Sequence, residues 1–320
     1  MKGKIVFLFV LFVLMQSIFT GCGAGKINIA PSGGKALQTF KDKGTTSAIP
    51  IGENTGVITD TVVDVFREPD VQSERVTQAI YNQPANILEV KDNWSRMTLV
   101  DGYTGWLRSK YIDKNCKSIT SNHYKYRIVV TDKTKKIYSS AKNGVTLKDV
   151  VMGTELLCIE KIEDWYQVAL PGNGSGWISE SGTIQLSSDE HIPETTATDF
   201  VLTVSKFKDT TYLWGGVSSW GIDCSGLVYI CARINGIDLP RDVDQQFGIG
   251  ESVLGGSESM KPGDLVFFST DDSKNDKSHI GVYIGNNQFI NASKSKGAVT
   301  INSLEEDYFK KRLVGVKRIF

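Results

Sequence analysis

The chain has 320 residues, enough for two or three domains. Lys and Arg total 36, as do Asp and Glu, so the formal net charge is zero, which argues against a nucleic-acid-binding protein, a class that carries a basic surplus. At 40% hydrophobic residues the chain can supply ordinary cores.

The first residues read MKGKIVFLFVLFVLMQSIFTGCG. Lys2 and Lys4 precede an apolar run over 5–19, and Gly21 and Cys22 follow it. This is the layout of a secretory signal. The run is shorter than the ~20 apolar residues that a membrane span needs. Its end resembles a bacterial lipobox, with Phe19 where leucine is usual, which implies cleavage before Cys22 and lipidation of that cysteine. The expectation is a signal over 1–22 and an extracytoplasmic protein anchored to a bacterial membrane. Residues 23–55, rich in Gly, Ser, Thr and Lys, read as a flexible tether. Four further cysteines, Cys116, Cys158, Cys224 and Cys231, form no CxxC pair, which argues against a zinc site. Cys116 and Cys158 either bridge in an oxidising compartment or are simply buried.

From Val57 the chain turns to short β-type runs separated by Gly, Asn, Asp and Pro, the pattern of a small all-β barrel. An internal repeat follows: DNWSRMTLVDGYTGWLRS at 92–109 matches EDWYQVALPGNGSGWISE at 163–180. Trp94, Leu99 and Trp106 recur at the same spacing as Trp165, Leu170 and Trp177. The four tryptophans read as core residues of two barrels. The frame resembles the bacterial SH3-like domains of cell-wall proteins, which implies one such domain over 56–115 and a second over 124–184. Residues 185–197 look like a linker, with His191 a solvated loop residue.

The C-terminal part, 195–320, has a mixed texture, with a helix over DCSGLVYICARIN and a meander of antiparallel strands over DLVFFS, HIGVYIG and NQFINAS, an α+β arrangement. Asp223 caps the helix and Gly236 ends it. Gly215 and Gly216, in the loop before it, are able to take positive φ. Cys224 then sits at a helix N-terminus, where unpaired amides and the helix dipole lower a thiol below its ordinary ~8.5. His279 opens the next strand but one, and Asn291 lies on the strand that a hairpin brings beside it. Cys, His and Asn in that order supply a nucleophile, a base and a group to orient the base. Of the other histidines, His123 lies between the two barrels.

YLWGG, GIDCSGLVY, LPRDVDQQFGIG, KPGDLVFFS, SHIGVYIG and FINAS occur in the order of the NlpC family of papain-like cell-wall cysteine peptidases, which this segment closely resembles. The resemblance implies Cys224 as nucleophile, His279 as general base and acid, and Asn291 as third member where the family often has histidine. It further implies Tyr212 and the Cys224 amide as oxyanion donors, and Asp223, Ser225, Trp214 and Arg241 at the substrate, with Arg241 and Asp242 able to brace their loop instead. The whole layout resembles γ-D-glutamyl-L-diamino acid endopeptidases, which act on peptides with a free N-terminal L-alanine. Asp223 and Tyr103 are candidate partners for that amine, and Gln83 stands near the place of an expected glutamate. The alternatives are an N-acetylmuramoyl-L-alanine amidase and an inactive wall-binding lipoprotein. The expected partners are peptidoglycan stem peptides and, through the lipid, a membrane, for a monomer that uses no cofactor, metal or nucleic acid.

Overall fold

A computed structural model describes residues 51–271, 274 and 276–320. The signal, Cys22 and the tether up to residue 50 lie outside the described residues.

Alternating runs after the tether pair into strands β1 (Thr55–Ile58), β2 (Val62–Phe66), β3 (Arg75–Ile80), β4 (Pro84–Lys91), β5 (Trp94–Leu99), β6 (Thr104–Arg108) and β7 (Ile112–Asp113). They form one sheet in the order β3-β2-β6-β5-β4-β1-β7. The first strand thus takes in Thr55, which the tether was expected to include. The second set is β8 (Tyr126–Val130), β9 (Thr134–Tyr138), β10 (Thr146–Val151), β11 (Glu155–Ile162), β12 (Trp165–Leu170), β13 (Gly174–Ser179) and β14 (Thr183–Ser187). Its order, β10-β9-β13-β12-β11-β8-β14, is that of the first sheet strand for strand. Each sheet closes on its own apolar cluster, Val65, Met97, Leu99 and Leu107 in one and Ile137, Val168, Leu170 and Ile178 in the other.

Trp94 and Trp106 are buried, as expected, but none of the four tryptophans of the repeat belongs to those clusters. Side chains alternate along a strand, so the odd step from Trp94 to Met97 puts them on opposite faces. Trp94 packs against the edge of Phe66, with the Arg108 guanidinium 4.1 Å over its ring. Trp165 packs against Tyr138 in the same way. Phe66 lies opposite Trp106, and Tyr138 opposite Trp177. The repeat therefore preserves an aromatic ladder on the outside of each barrel. Trp94 and Trp106 are buried there, whereas Trp165 and Trp177 are half-buried.

The expected linker is held down. Its start belongs to β14, Ile192 is buried in the core of the C-terminal part, and the Thr195 amide donates to the Asn235 carbonyl at 3.1 Å. His191 is exposed. Helix α1 (Ala197–Ser205) opens with a capping box between Thr196 and Asp199. A short hairpin, β15 (Val217–Ser218) and β16 (Gly221–Ile222), leads into α2 (Cys224–Ile234). After α3 (Val243–Gln246) and β17 (Glu251–Ser252) come β18 (Leu265–Phe268), β19 (His279–Gly285), β20 (Gln288–Ser293), β21 (Ala298–Ser303), α4 (Asp307–Arg312) and β22 (Leu313–Arg318). Their sheet runs β17-β22-β18-β19-β20-β21, antiparallel throughout. Leu227, Val228 and Cys231 of α2 share a core with Ile280 and Val282 of β19, which fixes the helix across the strand. Each such buried side chain contributes about 1.5–3 kcal/mol.

Cys116, Cys158, Cys224 and Cys231 are all free thiols. A cavity of 530 Å³ lies where both barrels meet α2, lined by Tyr81, Asp101, Arg127, Glu155 and Arg233 among others. Cys224, His279 and Asn291 are not part of its lining.

Candidate active site

The loop before α2 has to turn sharply to present its first residue. Gly215 makes the turn at φ +74°, where a Cβ would lie 2.8 Å from the Arg75 carbonyl oxygen. Gly216 takes no positive φ; a Cβ there would meet the Gly221 carbonyl oxygen at 2.4 Å, so its role is close approach. Asp223 is the N-cap, accepting from the Gly226 amide at 2.7 Å. Cys224 follows as the first helical residue, half-buried.

Asp223, Ser225 and Arg241 do not line a groove. The Asp223 carboxylate also accepts from the Gly215 amide at 2.8 Å and from Arg241 Nη2 at 2.7 Å. Arg241 Nη1 donates to Ser225 Oγ at 2.8 Å and Nη2 reaches the Gly216 carbonyl at 3.2 Å. All three are buried, Arg241 being 2% exposed. The ion pair ties the glycine loop to the helix start, and its bonds point into the protein. The structure thus places these residues in a brace instead of against substrate.

Cys224 packs against the core that Ile280, one residue past His279, shares with α2, and the Ile280 and Ser225 amides favour its ionised form. His279 Nε2 lies 2.9 Å from Asn291 Oδ1. Gly281, two residues along β19 and on the same face as His279, makes that contact possible. A Cβ at 281 would stand 3.2 Å from the Asn291 Cβ, 3.0 Å from the Ile290 carbonyl oxygen and 2.5 Å from the Phe289 ring. Cys224, at the head of α2, thus lies against the core shared with the strand that His279 opens, while His123 and His191 are exposed elsewhere.

The charge state differs from expectation. Burial pushes the Cys224 thiol up to about 12, and the neighbouring Asp223 carboxylate adds to the rise; the Ile280 amide, Arg241 and the Ser225 amide pull less strongly the other way. Burial also lowers His279 below its ordinary 6.5, against the pull of the Asn291 hydrogen bond. Both shifts act against a thiolate–imidazolium pair. Tyr212 carries the same stamp: burial, then the nearby Cys224, raise its phenol, so it keeps its proton as a donor.

Hydrogen bonds from the first barrel reach the site loops. The Tyr103 hydroxyl donates to Asp242 Oδ1, directly after the brace arginine. Trp214, 55% exposed, donates its indole N–H to Glu74 Oε1 at 3.1 Å, and Arg75 Nη1 donates to the Trp214 carbonyl at 3.1 Å. Gln83 Oε1 accepts from the Ile80 amide at 3.0 Å and so closes its own turn. Sequence reasoning missed Asn302 and Glu306, which stand behind Asn291; the only signal was a polar residue at alternate positions of the GAVTINSL strand. Among the described residues no cluster of three His, Cys, Asp or Glu side chains could hold a metal ion.

Residues 209–318 match the NlpC/P60 family model, and residues 65–112 match the model of the bacterial dipeptidyl-peptidase Sh3 domain. A γ-D-glutamyl-L-lysine dipeptidyl-peptidase of Bacillus subtilis is 27% identical over 276 residues, 84% of this chain and 85% of the relative. A murein DD-endopeptidase MepS/murein LD-carboxypeptidase of Escherichia coli is 36% identical over 146 residues, 44% of this chain and 74% of the relative. The crystal structure of an NlpC/P60 family protein from Bacillus cereus superposes with a TM-score of 0.75 at 23% identity, covering 82% of this chain and 99% of that one.

Proposed function

The chain belongs to the NlpC/P60 family, and from that membership we propose that it is a cell-wall cysteine peptidase cutting the bond between γ-D-glutamate and the following diamino acid of peptidoglycan stem peptides. The observation that carries this is the meeting of Cys224, at the head of α2, with β19, where His279 is held by Asn291 at 2.9 Å. Relatives that match most of the chain, barrel region included, are named for γ-D-glutamyl-L-lysine bonds, which supports this choice of bond.

His279 takes the Cys224 proton as sulfur adds to the γ-glutamyl carbonyl carbon. The Cys224 amide and the Tyr212 hydroxyl donate to the oxyanion. His279 then gives the proton to the departing amine, the C–N bond breaks and a thioester remains. Water, deprotonated by His279, attacks the thioester; the C–S bond breaks and the thiol recovers its proton. Asn291 accepts from the ring and keeps its other nitrogen toward the sulfur.

A free N-terminal amine on the substrate is a cation and calls for a carboxylate. With Asp223 occupied by Arg241, we assign that task to Asp242, oriented by Tyr103 of the first barrel. Residues 1–22 act, in this reading, as a lipoprotein signal that leaves Cys22 lipidated and the enzyme outside the cytoplasm as a monomer. A Cys22→Ala change should then move the protein from the membrane to the soluble fraction.

The deciding experiment is incubation with L-Ala-γ-D-Glu-diaminopimelate and its N-acetyl form, read by mass spectrometry. Release of L-Ala-D-Glu from the free-amine peptide alone is expected. Equal cleavage of both removes the amine role of Asp242, and cleavage of neither overturns the bond assignment. Cys224→Ala should lower the rate by at least about 10⁴-fold with an unchanged melting curve.

A further inference from the structure

We propose that Glu306 is a positioning residue for this site: through Asn302 and Asn291 it holds His279 with its proton on Nε2, leaving Nδ1 open to receive the thiol proton. The proposal rests on the peptidase reading above. It is carried by four groups in a row. Asn302 Nδ2 lies 3.2 Å and 3.3 Å from the two Glu306 oxygens. Asn291 Nδ2 lies 3.0 Å from Asn302 Oδ1, and His279 Nε2 lies 2.9 Å from Asn291 Oδ1.

The direction of every bond in the row follows from its far end. A carboxylate only accepts, so the Asn302 nitrogen must face Glu306 and its oxygen must face away. That oxygen also accepts from Thr300 Oγ1 at 2.9 Å. The Asn291 nitrogen then has to face Asn302. The Thr300 carbonyl, another pure acceptor, takes the same nitrogen at 3.3 Å and agrees with the assignment. What remains for the ring is the Asn291 oxygen, which demands an N–H on Nε2. Turning either amide over would set donor against donor or acceptor against acceptor inside the protein, where Asn291 is fully buried and Asn302 nearly so.

Glu306 is itself held. The Ser303 amide donates to Oε1 at 2.8 Å, and the Glu306 backbone caps α4 by accepting from the Lys310 amide at 2.9 Å. It is exposed, just past the end of β21. A neutral amide beside the catalytic imidazole gives no charge support of its own; the row supplies a carboxylate beyond two amides.

The test uses the full chain labelled with ¹⁵N-histidine, with the His279 signals assigned against a His279→Gln variant. At neutral pH the parent should show the Nε2–H tautomer alone. Glu306→Ala should give a tautomer mixture, with kcat lower by about tenfold and KM within about twofold. Glu306→Gln keeps an acceptor toward Asn302 and should restore most of the rate. Asn302→Ala breaks the row without touching the α4 cap, and also covers the case in which Glu306→Ala fails to fold. It should match Glu306→Ala, and the double variant should be no worse than either. An unchanged tautomer, or losses that add, would overturn the proposal. The tautomer readout needs no turnover, so it is independent of whether Cys224 is the nucleophile.

Discussion

The two barrels share a strand order and an outer aromatic ladder, yet they hold different groups of the catalytic part, the second also meeting the β15–β16 hairpin through Lys133 and Thr134 on Ser219. The first reaches the loops around the head of α2, through Tyr103 on Asp242, Glu74 on Trp214 and Gln78 on the Val217 amide at 3.2 Å. The second holds the tail. Its Glu155 takes Arg233 at 2.7 Å together with its own Arg127, and its Val129 and Met152 enter the core beneath the helix. One fold thus serves twice, and the strands that happen to face the enzyme decide whether a copy shapes the substrate end or anchors the frame. A repeat in sequence specifies the architecture and is silent about this division.

The division can be broken from either side. The largest effect is expected at Glu155→Ala, which strands two arginines in a partly buried junction and should cost about 3 kcal/mol of stability by urea melts. The rate of the remaining folded enzyme should be unchanged; a lost rate with normal stability would put the second barrel in the site. Tyr103→Phe should do the reverse. KM for the free-amine peptide should rise about tenfold, near 1.4 kcal/mol, while the melting temperature stays within about 2 °C.

The smallest effects are shifts along the pH axis. Burial alone would raise Glu155, but Arg233 and Arg127 outweigh it and hold it below the usual 4.5. Its contribution is then complete above 4.5 and is lost as pH falls through the lowered value, so Glu155→Ala should blunt acid unfolding in that window. His279, lowered by burial, stays neutral to a lower pH than a free imidazole. The acid limb of kcat/KM should lie below 6.5; a limb above 6.5 would contradict a buried base. Below 6.5 the unfolded chain binds this proton more readily, so stability falls there too.

Much of this was legible in the sequence. Helix, strand and strand carry Cys224, His279 and Asn291 because cap residues and apolar period reveal local elements, and a hairpin leaves few ways to pair them. The tryptophan faces were legible too, had the odd step from 94 to 97 been weighed above the expectation that large aromatics fill cores. Asp242 against Tyr103 and Glu155 against Arg233 were not, since they join segments 139 and 78 residues apart with no shared pattern. The Cys224 proton is the instructive case. A helix N-terminus is visible in sequence and lowers a thiol, but the packing around the sulfur and the Asp223 carboxylate beside it, which act the other way, are not.

The bare α-carbon at Gly281 has a consequence for how the gene can drift. It offers no side chain to chemistry, yet a methyl group would collide with Phe289 and crowd the amide that His279 leans on. In a saturation scan scored by wall-peptide release, this position should be as intolerant as Cys224, every replacement failing for want of room, and a ranking of residues by mutational sensitivity would count an empty space among the catalytic groups.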